Sequence, residues 1–189
     1  QLSLFRKIID LSGIYNLKYH ILNSAGLFNY SNAKYNMVRC GLSLYGISPF
    51  NKINNNLLPV MTLKAPVILI KNINKNESVG YGCTYIAKEP KKIGIVQGGY
   101  ADGIPRSFGN KERVYYNRYE FPIIGRVSMD LLCIDISTLD DTENLQEVII
   151  WGGNQVNSRL EIIAKKFNTI PYVYLTGLSN RVEKIYIEE

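Results

Sequence analysis

The chain has 189 residues, of which 46% are apolar, 20% charged and 11% aromatic. This composition provides enough apolar material for a core and excludes disordered, collagen-like and fibrous proteins. The net charge of +6 is dispersed, with no run of five basic residues, so we expect no nucleic-acid partner. No apolar run approaches the roughly 20 residues of a membrane span. No signal peptide is visible either, so we expect a cytoplasmic protein without a membrane partner.

The cysteine and histidine content argues against a metal site. Cys40, Cys83 and Cys133 are an odd number of widely spaced thiols, which favours neither a disulfide framework nor a CxxC zinc site. His20 is the single histidine. The P-loop, HExxH and EF-hand patterns do not occur. We therefore predict no bound metal.

The first 50 residues carry α/β patterns. Apolar residues recur at helical spacing over residues 2–11, which predicts an amphipathic helix that ends near Gly13. Residues 18–26 (KYHILNSAG) and 37–46 (MVRCGLSLYG) are typical of short strands. A helix that needs a sheet to pack against, followed by strands, predicts the last part of a larger α/β unit.

The segments NSAG and RCG lie where a TIM-type barrel places its ligand-binding groups, at the carboxyl ends of strands. The Ser24 hydroxyl and the backbone N–H of Gly41 suit a phosphate. Arg39 carries a permanent charge, and the alternative for it is a surface ion pair. For His20 we expect a structural role.

A proline and a cluster of asparagines make residues 49–58 the best linker candidate. We therefore predict two domains, residues 1–50 and residues 51–189. The second domain has the pattern of a β-barrel-like fold with one or two helices. Its predicted strands cover residues 62–71, 93–97, 114–116, 121–124, 131–136, 148–151 and 182–187. A helix is predicted over residues 158–167, with Ser158 as its cap and Glu161 completing a capping box.

Three glycine-flanked motifs of the second domain hold candidate functional residues. In VGYGCTY, Tyr81 stands between Gly80 and Gly82 and is either a strand tyrosine beside a bulge or an exposed acid or base. GGYADGIPR is either a site for close backbone approach or a tight loop in which Asp102 bonds its own backbone. In GRVSMD, Met129 alone would be expected in the core.

Together these segments resemble the C-terminal half of alanine racemase, a pyridoxal-phosphate enzyme. The resemblance rests on HILNSAG, NMVRCGLSLYG, VGYGCTY, GGYADGIPR, IIGRVSMD and TIPY, which occur in one order over nearly the whole chain. The family's fold is an N-terminal α/β barrel followed by a β-rich domain. The resemblance thus implies that residues 1–50 are the last helix and strands of a TIM-type barrel and residues 51–189 are the C-terminal β-domain.

The resemblance also implies roles for individual residues. Tyr81 matches the base that removes the α-proton of L-alanine, acting across a homodimer interface, and Arg39 faces the pyridine nitrogen of the cofactor. Because a guanidinium keeps its proton, the pyridine is a weaker electron sink, which favours racemisation over side reactions. The other implied contacts are the phosphate-binding Ser24, Gly41, Leu42 and Tyr172, the substrate-side Met129 and Tyr100, and the supporting Asn23, Asp102 and Asp130.

The chain departs from the family's pattern in two ways. Val173 stands where the family commonly carries an acidic residue. In the family, the lysine that holds the cofactor and the histidine beside the catalytic tyrosine lie upstream of Gln1, so we expect these 189 residues to be inactive alone. The implied role of the whole enzyme is D-alanine supply for cell-wall precursors.

Three alternative functions stay open at this point. One is a racemase of another amino acid with the same fold. Another is a non-catalytic dimerisation or binding fragment. The third is a basic β-barrel that binds nucleic acid, which the spacing of the aromatic residues disfavours.

Overall fold

The computed structural model describes residues 1–14, 16–50 and 52–187. The chain forms two compact units, Gln1–Val60 (unit 1) and Met61–Glu189 (unit 2). Unit 1 contains short helices and turns, and unit 2 contains a closed β-barrel. No helix in the described parts of the chain is long and apolar enough to cross a bilayer.

Unit 1 opens on the predicted amphipathic helix. Helix α1 (Leu2–Ser12) ends at Gly13, which has the left-handed backbone conformation (φ 60°) common at helix C-termini. Helix α2 (Ser24–Asn29) and two 3₁₀ turns, Ser31–Ala33 and Leu42–Tyr45, follow. None of the residues of α1 is buried.

The two strands predicted in unit 1 are reduced to a single bridge. Asn23 pairs with Arg39 in parallel, and the Arg39 N–H donates to the Leu22 carbonyl at 2.9 Å. Residues beyond the bridge leave the extended conformation because α2 begins at Ser24 and a 3₁₀ turn begins at Leu42. The predicted strands over 18–26 and 37–46 are therefore wrong in length. The parallel direction is that of an α/β barrel, and the predicted fold class is confirmed.

Unit 2 is built around a six-stranded antiparallel barrel. The strands of unit 2 are β1 (Leu63–Ile73), β2 (Ser78–Val79), β3 (Tyr85–Ile86), β4 (Lys91–Gln97), β5 (Arg113–Tyr116), β6 (Tyr119–Ile124), β7 (Leu131–Asp135) and β8 (Glu147–Trp151). The barrel closes in the order β1-β4-β7-β6-β5-β8, and β8 pairs with β1. A short hairpin of β2 and β3 lies outside the barrel.

The barrel strands coincide with six of the predicted strands, because their apolar residues alternate or run continuously as buried strands require. Their inward side chains form the core, with Ile93, Val96, Phe121, Ile134 and Ile150 each at most 1% exposed. The seventh predicted strand, over 182–187, is wrong. The structure shows no strand there, and Tyr186 is 88% exposed.

The predicted C-terminal helix is shorter than expected and starts differently. Helix α3 spans Leu160–Lys166, and Ser158 lies in a preceding 3₁₀ turn. The Ser158 Oγ lies 2.5 Å from the Gly152 carbonyl oxygen and 2.8 Å from the Gln155 carbonyl oxygen, and the N-cap position of the helix is Arg159, so Ser158 does not cap it. A second helix, α4 (Pro171–Thr176), follows, with a proline in its first turn as helix starts favour.

Candidate functional site

Tyr81 lies in an exposed turn between β2 and β3. It opens the 3₁₀ turn Tyr81–Cys83 and its side chain is 73% exposed. Gly80 (φ 77°) and Gly82 (φ 71°) adopt the left-handed conformation that residues with a Cβ disfavour. The structure therefore presents the phenol to solvent, in a turn and not within a strand.

A second segment packs against this turn and was not predicted to do so. A Cβ at Gly80 would lie 3.1 Å from the backbone nitrogen of Arg126, and one at Gly82 would lie 2.9 Å from the side-chain Nη1 of Arg126. Asn110 joins the two segments, because its Nδ2 donates to the Thr84 carbonyl at 3.3 Å and its Oδ1 accepts from the Gly125 N–H at 2.7 Å. The glycines of the tyrosine motif thus allow GRVSMD to approach closely.

The motifs around Tyr100 and Met129 are joined by backbone hydrogen bonds. The N–H groups of Tyr100 and Ala101 donate to the carbonyls of Ser128 and Met129, both at 3.0 Å. A Cβ at Gly99 would lie 2.2 Å from the Met129 carbonyl oxygen, so only glycine fits there. Met129 is 52% exposed and Tyr100 is 47% exposed. The expectation that Met129 is a core residue is therefore wrong.

Asp102 and Asp130 share one cation. Asp102 accepts a hydrogen bond from the Gly99 N–H at 2.9 Å, as the tight-loop alternative expects. Its other carboxylate oxygen lies 3.3 Å from Arg181 Nε, and Asp130 Oδ1 lies 2.6 Å from Arg181 Nη2. Arg181 was not identified from the sequence as a partner of these two aspartates. No local pattern reveals it, because it is 51 positions from Asp130.

In unit 1, the Ser24 hydroxyl accepts hydrogen bonds from backbone N–H groups that follow Arg39, the second residue of the bridge. It is buried at the start of α2, behind the helix cap Asn23. Its Oγ lies 3.0 Å from the Gly41 nitrogen and 3.5 Å from the Ser43 nitrogen. The Ser43 hydroxyl is buried and has no hydrogen-bond partner within the described part of the chain. Hydroxyls and backbone N–H groups of this kind are typical phosphate ligands.

Arg39 contacts a neighbour that the sequence did not pair with it. Its Nη1 hydrogen-bonds to Nδ1 of His20, and its backbone is fixed by the bridge to Asn23. The alternative of a surface ion pair predicted a carboxylate partner, and the structure gives an imidazole. Leu42, which follows Gly41, is buried at the start of the 3₁₀ turn Leu42–Tyr45.

Tyr172 belongs to unit 2, in the first turn of α4. Its side chain is exposed, and its carbonyl accepts a hydrogen bond from the Thr176 hydroxyl at 2.8 Å. Val173, the departure from the family's pattern, is exposed beside it. The candidate residues therefore divide between the units, with Ser24, Arg39, Gly41 and Leu42 in unit 1 and Tyr81, Tyr100, Met129 and Tyr172 in unit 2.

A barrel that carries a glycine-flanked tyrosine turn, preceded by α/β elements, defines a distinctive two-part architecture. The sequence model described as "Alanine racemase, C-terminal domain" matches residues 60–186, and that described as "Alanine racemase, N-terminal domain" matches residues 1–49. The chain belongs to the alanine racemase family, as the resemblance predicted.

Relatives and solved structures agree with this assignment. The chain is 45% identical over 177 residues to an alanine racemase of Coxiella burnetii, covering 89% of this chain and 48% of that protein. A relative from Vesicomyosocius okutanii is 44% identical over 171 residues, covering 90% of this chain and 48% of that protein. The chain spans about half the length of these curated relatives.

The fold matches crystal structures of alanine racemases. One, from Bartonella henselae with covalently bound pyridoxal phosphate, has a TM-score of 0.86 and 34% identity, covering 98% of this chain and 51% of that one. Another, from Pseudomonas aeruginosa, has a TM-score of 0.85 and 32% identity, covering 99% of this chain and 51% of that one. The similarity thus covers residues of both units.

Proposed function

We propose that these 189 residues are the C-terminal part of a pyridoxal-phosphate-dependent alanine racemase that interconverts L- and D-alanine. The observation that carries the proposal is the exposed Tyr81 turn in a member of this family. We assign residues 1–50 to the last part of a cofactor-binding α/β barrel and residues 51–189 to the C-terminal β-domain.

Ser24, Gly41, Leu42 and Tyr172 would hold the cofactor phosphate, and Arg39 would face the pyridine nitrogen. The buried Ser24 hydroxyl, whose oxygen accepts from the Gly41 N–H, and the buried Ser43 hydroxyl, which has no hydrogen-bond partner among the described residues, support this role, because hydroxyl groups suit a phosphate. When bound, pyridoxal phosphate supplies the electron sink that makes the α-proton of an amino acid removable. Arg39 keeps its proton and so limits the strength of that sink.

Tyr81 is the proposed base that takes the α-proton of L-alanine onto its phenol oxygen. An exposed phenol on a turn is accessible to a second subunit, which supports a homodimer whose active site both subunits complete. Tyr100 and Met129 are exposed on adjoining turns, and both would face the substrate. A base acts on substrate only within hydrogen-bond reach of the proton it removes, so the exposed position of Tyr81 matters.

The resemblance to the family also suggests the wider setting. A racemase of this kind would supply D-alanine for cell-wall precursors in the cytoplasm. We propose alanine as its small-molecule partner, with no nucleic-acid or membrane partner.

The test uses this chain joined to the N-terminal half of the Coxiella burnetii relative. Enantiomers are equal in free energy, so loss of one base lowers kcat/KM equally in both directions, and turnover alone does not identify that base. Exchange of the α-hydrogen in D₂O does. The Tyr81→Phe variant should lose exchange from L-alanine while D-alanine continues to exchange through the other base.

Tyr85→Phe is the matched control, since Tyr85 lies in the same hairpin but is not the glycine-flanked residue. It should retain exchange from both enantiomers. Loss of exchange from D-alanine alone in Tyr81→Phe would contradict the assignment. A joined enzyme that binds pyridoxal phosphate but racemises serine or lysine in preference to alanine would support the alternative substrate.

A non-catalytic binding fragment is a second candidate. The exposed apolar residues Leu4, Ile8 and Leu11 on α1 favour it, because contiguous apolar surface marks a contact site. Pyridoxal-phosphate binding by the joined protein without racemisation of any amino acid would favour this candidate over the enzyme.

A further inference from the structure

Three segments of unit 2 contact one another at the barrel end where β4 ends and β7 begins. They are residues 99–103 (the Tyr100 turn), residues 128–131 (the Met129 turn) and residues 177–182 (the C-terminal segment). The first two are joined by the Tyr100 and Ala101 hydrogen bonds to Ser128 and Met129. The third joins through the Ser179 N–H, which donates to the Asp102 carbonyl at 3.3 Å.

Close backbone approach fixes the C-terminal segment against the Tyr100 turn. Gly103 has a left-handed backbone (φ 100°), and a Cβ there would lie 2.5 Å from the Gly177 carbonyl oxygen and 2.9 Å from the Leu178 Cα. Within the segment, the Arg181 N–H donates to the Ser179 hydroxyl at 3.3 Å. The segment thus presents Arg181 to both turns from a fixed backbone.

Arg181 contacts one carboxylate from each turn. Nε lies 3.3 Å from Asp102 Oδ1, and Nη2 lies 2.6 Å from Asp130 Oδ1. The Asp102 side chain is mostly buried, whereas those of Asp130 and Arg181 are about half exposed. The hydrogen bond to Asp130 is the largest cause that raises the pKa of Arg181. Two nitrogens of one planar guanidinium therefore join two separate turns.

We propose that Arg181 is a positioning residue that holds the Tyr100 turn and the Met129 turn together. This inference rests on the proposed function, in which Tyr100 and Met129 face the substrate. Arg181 acts through the two aspartates, and Tyr81 lies in a different turn, between β2 and β3. Loss of Arg181 should therefore weaken substrate binding more than proton transfer.

The first experiment measures amide hydrogen exchange in the 189-residue chain. In Arg181→Met the Tyr100 and Ala101 amides should exchange about threefold to fivefold faster, as expected when two partly exposed ion pairs are lost. Amides in β4 and β7 should keep their rates. Arg118→Met is the matched control, because Arg118 is an exposed arginine whose contacts are with Tyr119.

Unchanged exchange at Tyr100 and Ala101 would overturn the inference. So would acceleration of the β4 and β7 amides by the same factor, since that would show general destabilisation. Arg181→Lys keeps the charge but has a single nitrogen, so it should restore protection only in part. Full restoration by lysine would show that charge alone, and not the two-way contact, joins the turns.

The second experiment measures steady-state racemisation by the joined enzyme. Arg181→Met should raise KM for alanine about threefold to fivefold, by the same loss of two ion pairs, while kcat changes less. A fall in kcat with KM unchanged would overturn the positioning role. If the unmodified joined enzyme does not racemise alanine, the proposed function fails, and the exchange experiment still decides whether Arg181 holds the turns together.

Discussion

The two units differ in how they bury apolar side chains. In unit 2 the barrel closes on itself, and the largest fully buried side chains of the described chain, such as Trp151 and Phe121, all lie there. In unit 1 the amphipathic helix α1 leaves Leu4, Ile8 and Leu11 exposed, and the one described bridge between extended segments joins Asn23 and Arg39.

This difference shows that an apolar sequence pattern and the burial of the apolar side chains are separate requirements. An amphipathic pattern suffices to predict a helix over residues 2–11, but burial of its apolar face requires a partner surface. In unit 2 the barrel strands provide this partner surface for one another. Every barrel strand pairs with a neighbour on both sides, and the inward side chains meet across the interior. The candidate turns of unit 2 therefore extend from a rigid support.

The largest effect is expected from matched isoleucine substitutions in the two units. Ile134→Ala removes a fully buried side chain of β7 and should lower the free energy of unfolding by about 2 to 5 kcal/mol, through lost transfer energy and the cavity left behind. Ile8→Ala removes a side chain that is 54% exposed. It should change stability by less than about 1 kcal/mol. Denaturant unfolding of both variants measures the difference.

Equal losses in the two isoleucine variants would contradict the comparison. That outcome would show that α1 contributes to the same cooperative core as the barrel. A changed denaturant slope in Ile8→Ala alone would show that unit 1 unfolds separately.

A smaller effect is expected from matched glycine substitutions. Gly13 and Gly103 both have left-handed backbones (φ 60° and 100°), but a Cβ at Gly13 has no atom of the described residues within 4 Å, whereas one at Gly103 meets backbone. Gly13→Ala should cost about 1 kcal/mol from backbone strain alone. Gly103→Ala should cost about 2 kcal/mol or more, because the Gly177 carbonyl must also move.

Thermal unfolding of the two glycine variants gives the measurement. Asn in place of Ala at each position is the control, since asparagine tolerates the left-handed conformation better than alanine. It should recover most of the loss at Gly13 and little at Gly103. Recovery at both would show that strain, and not close approach, determines the cost at Gly103.

The barrel was predictable from the sequence because its strands carry their own pattern. Residues 93–97, 121–124 and 131–136 combine apolar residues with turn residues on either side, and all three form barrel strands. Residues 182–187 have similar β-propensity but form no strand, since a strand also requires a neighbour with which to pair. Local pattern therefore identified candidates, and pairing selected among them.

The individual motifs of the candidate site were predictable from the sequence, but the contacts between them were not. The glycines around Tyr81 left open whether it is a strand tyrosine beside a bulge or an exposed residue, and the structure shows an exposed turn. The packing of Arg126 on that turn and the contacts of Arg181 with Asp102 and Asp130 have no local signal, because they join residues far apart in the chain. The Ser158 cap was wrong because the hydroxyl bonds the Gly152 carbonyl instead.

The last expected effect is limited to alkaline pH and concerns buried tyrosines. Burial raises the pKa of Tyr174 from 10.0 to about 12, with a smaller contribution from the negative charge of Glu112. The folded protein thus keeps the Tyr174 proton above pH 10, where the unfolded chain loses it. The free energy of unfolding should therefore fall as the pH rises from 10 to about 12, and Tyr174 should account for about 1 to 2 kcal/mol of that fall.

Tyr174→Phe tests this share of the alkaline loss, because phenylalanine has no proton to release. Its unfolding free energy should fall less between these pH values than that of the unsubstituted chain. Part of the fall should remain, since other tyrosines whose pKa burial raises, such as Tyr115 and Tyr85, still contribute. An equal alkaline loss in Tyr174→Phe and in the unsubstituted chain would mean that the burial of Tyr174 does not contribute to that loss.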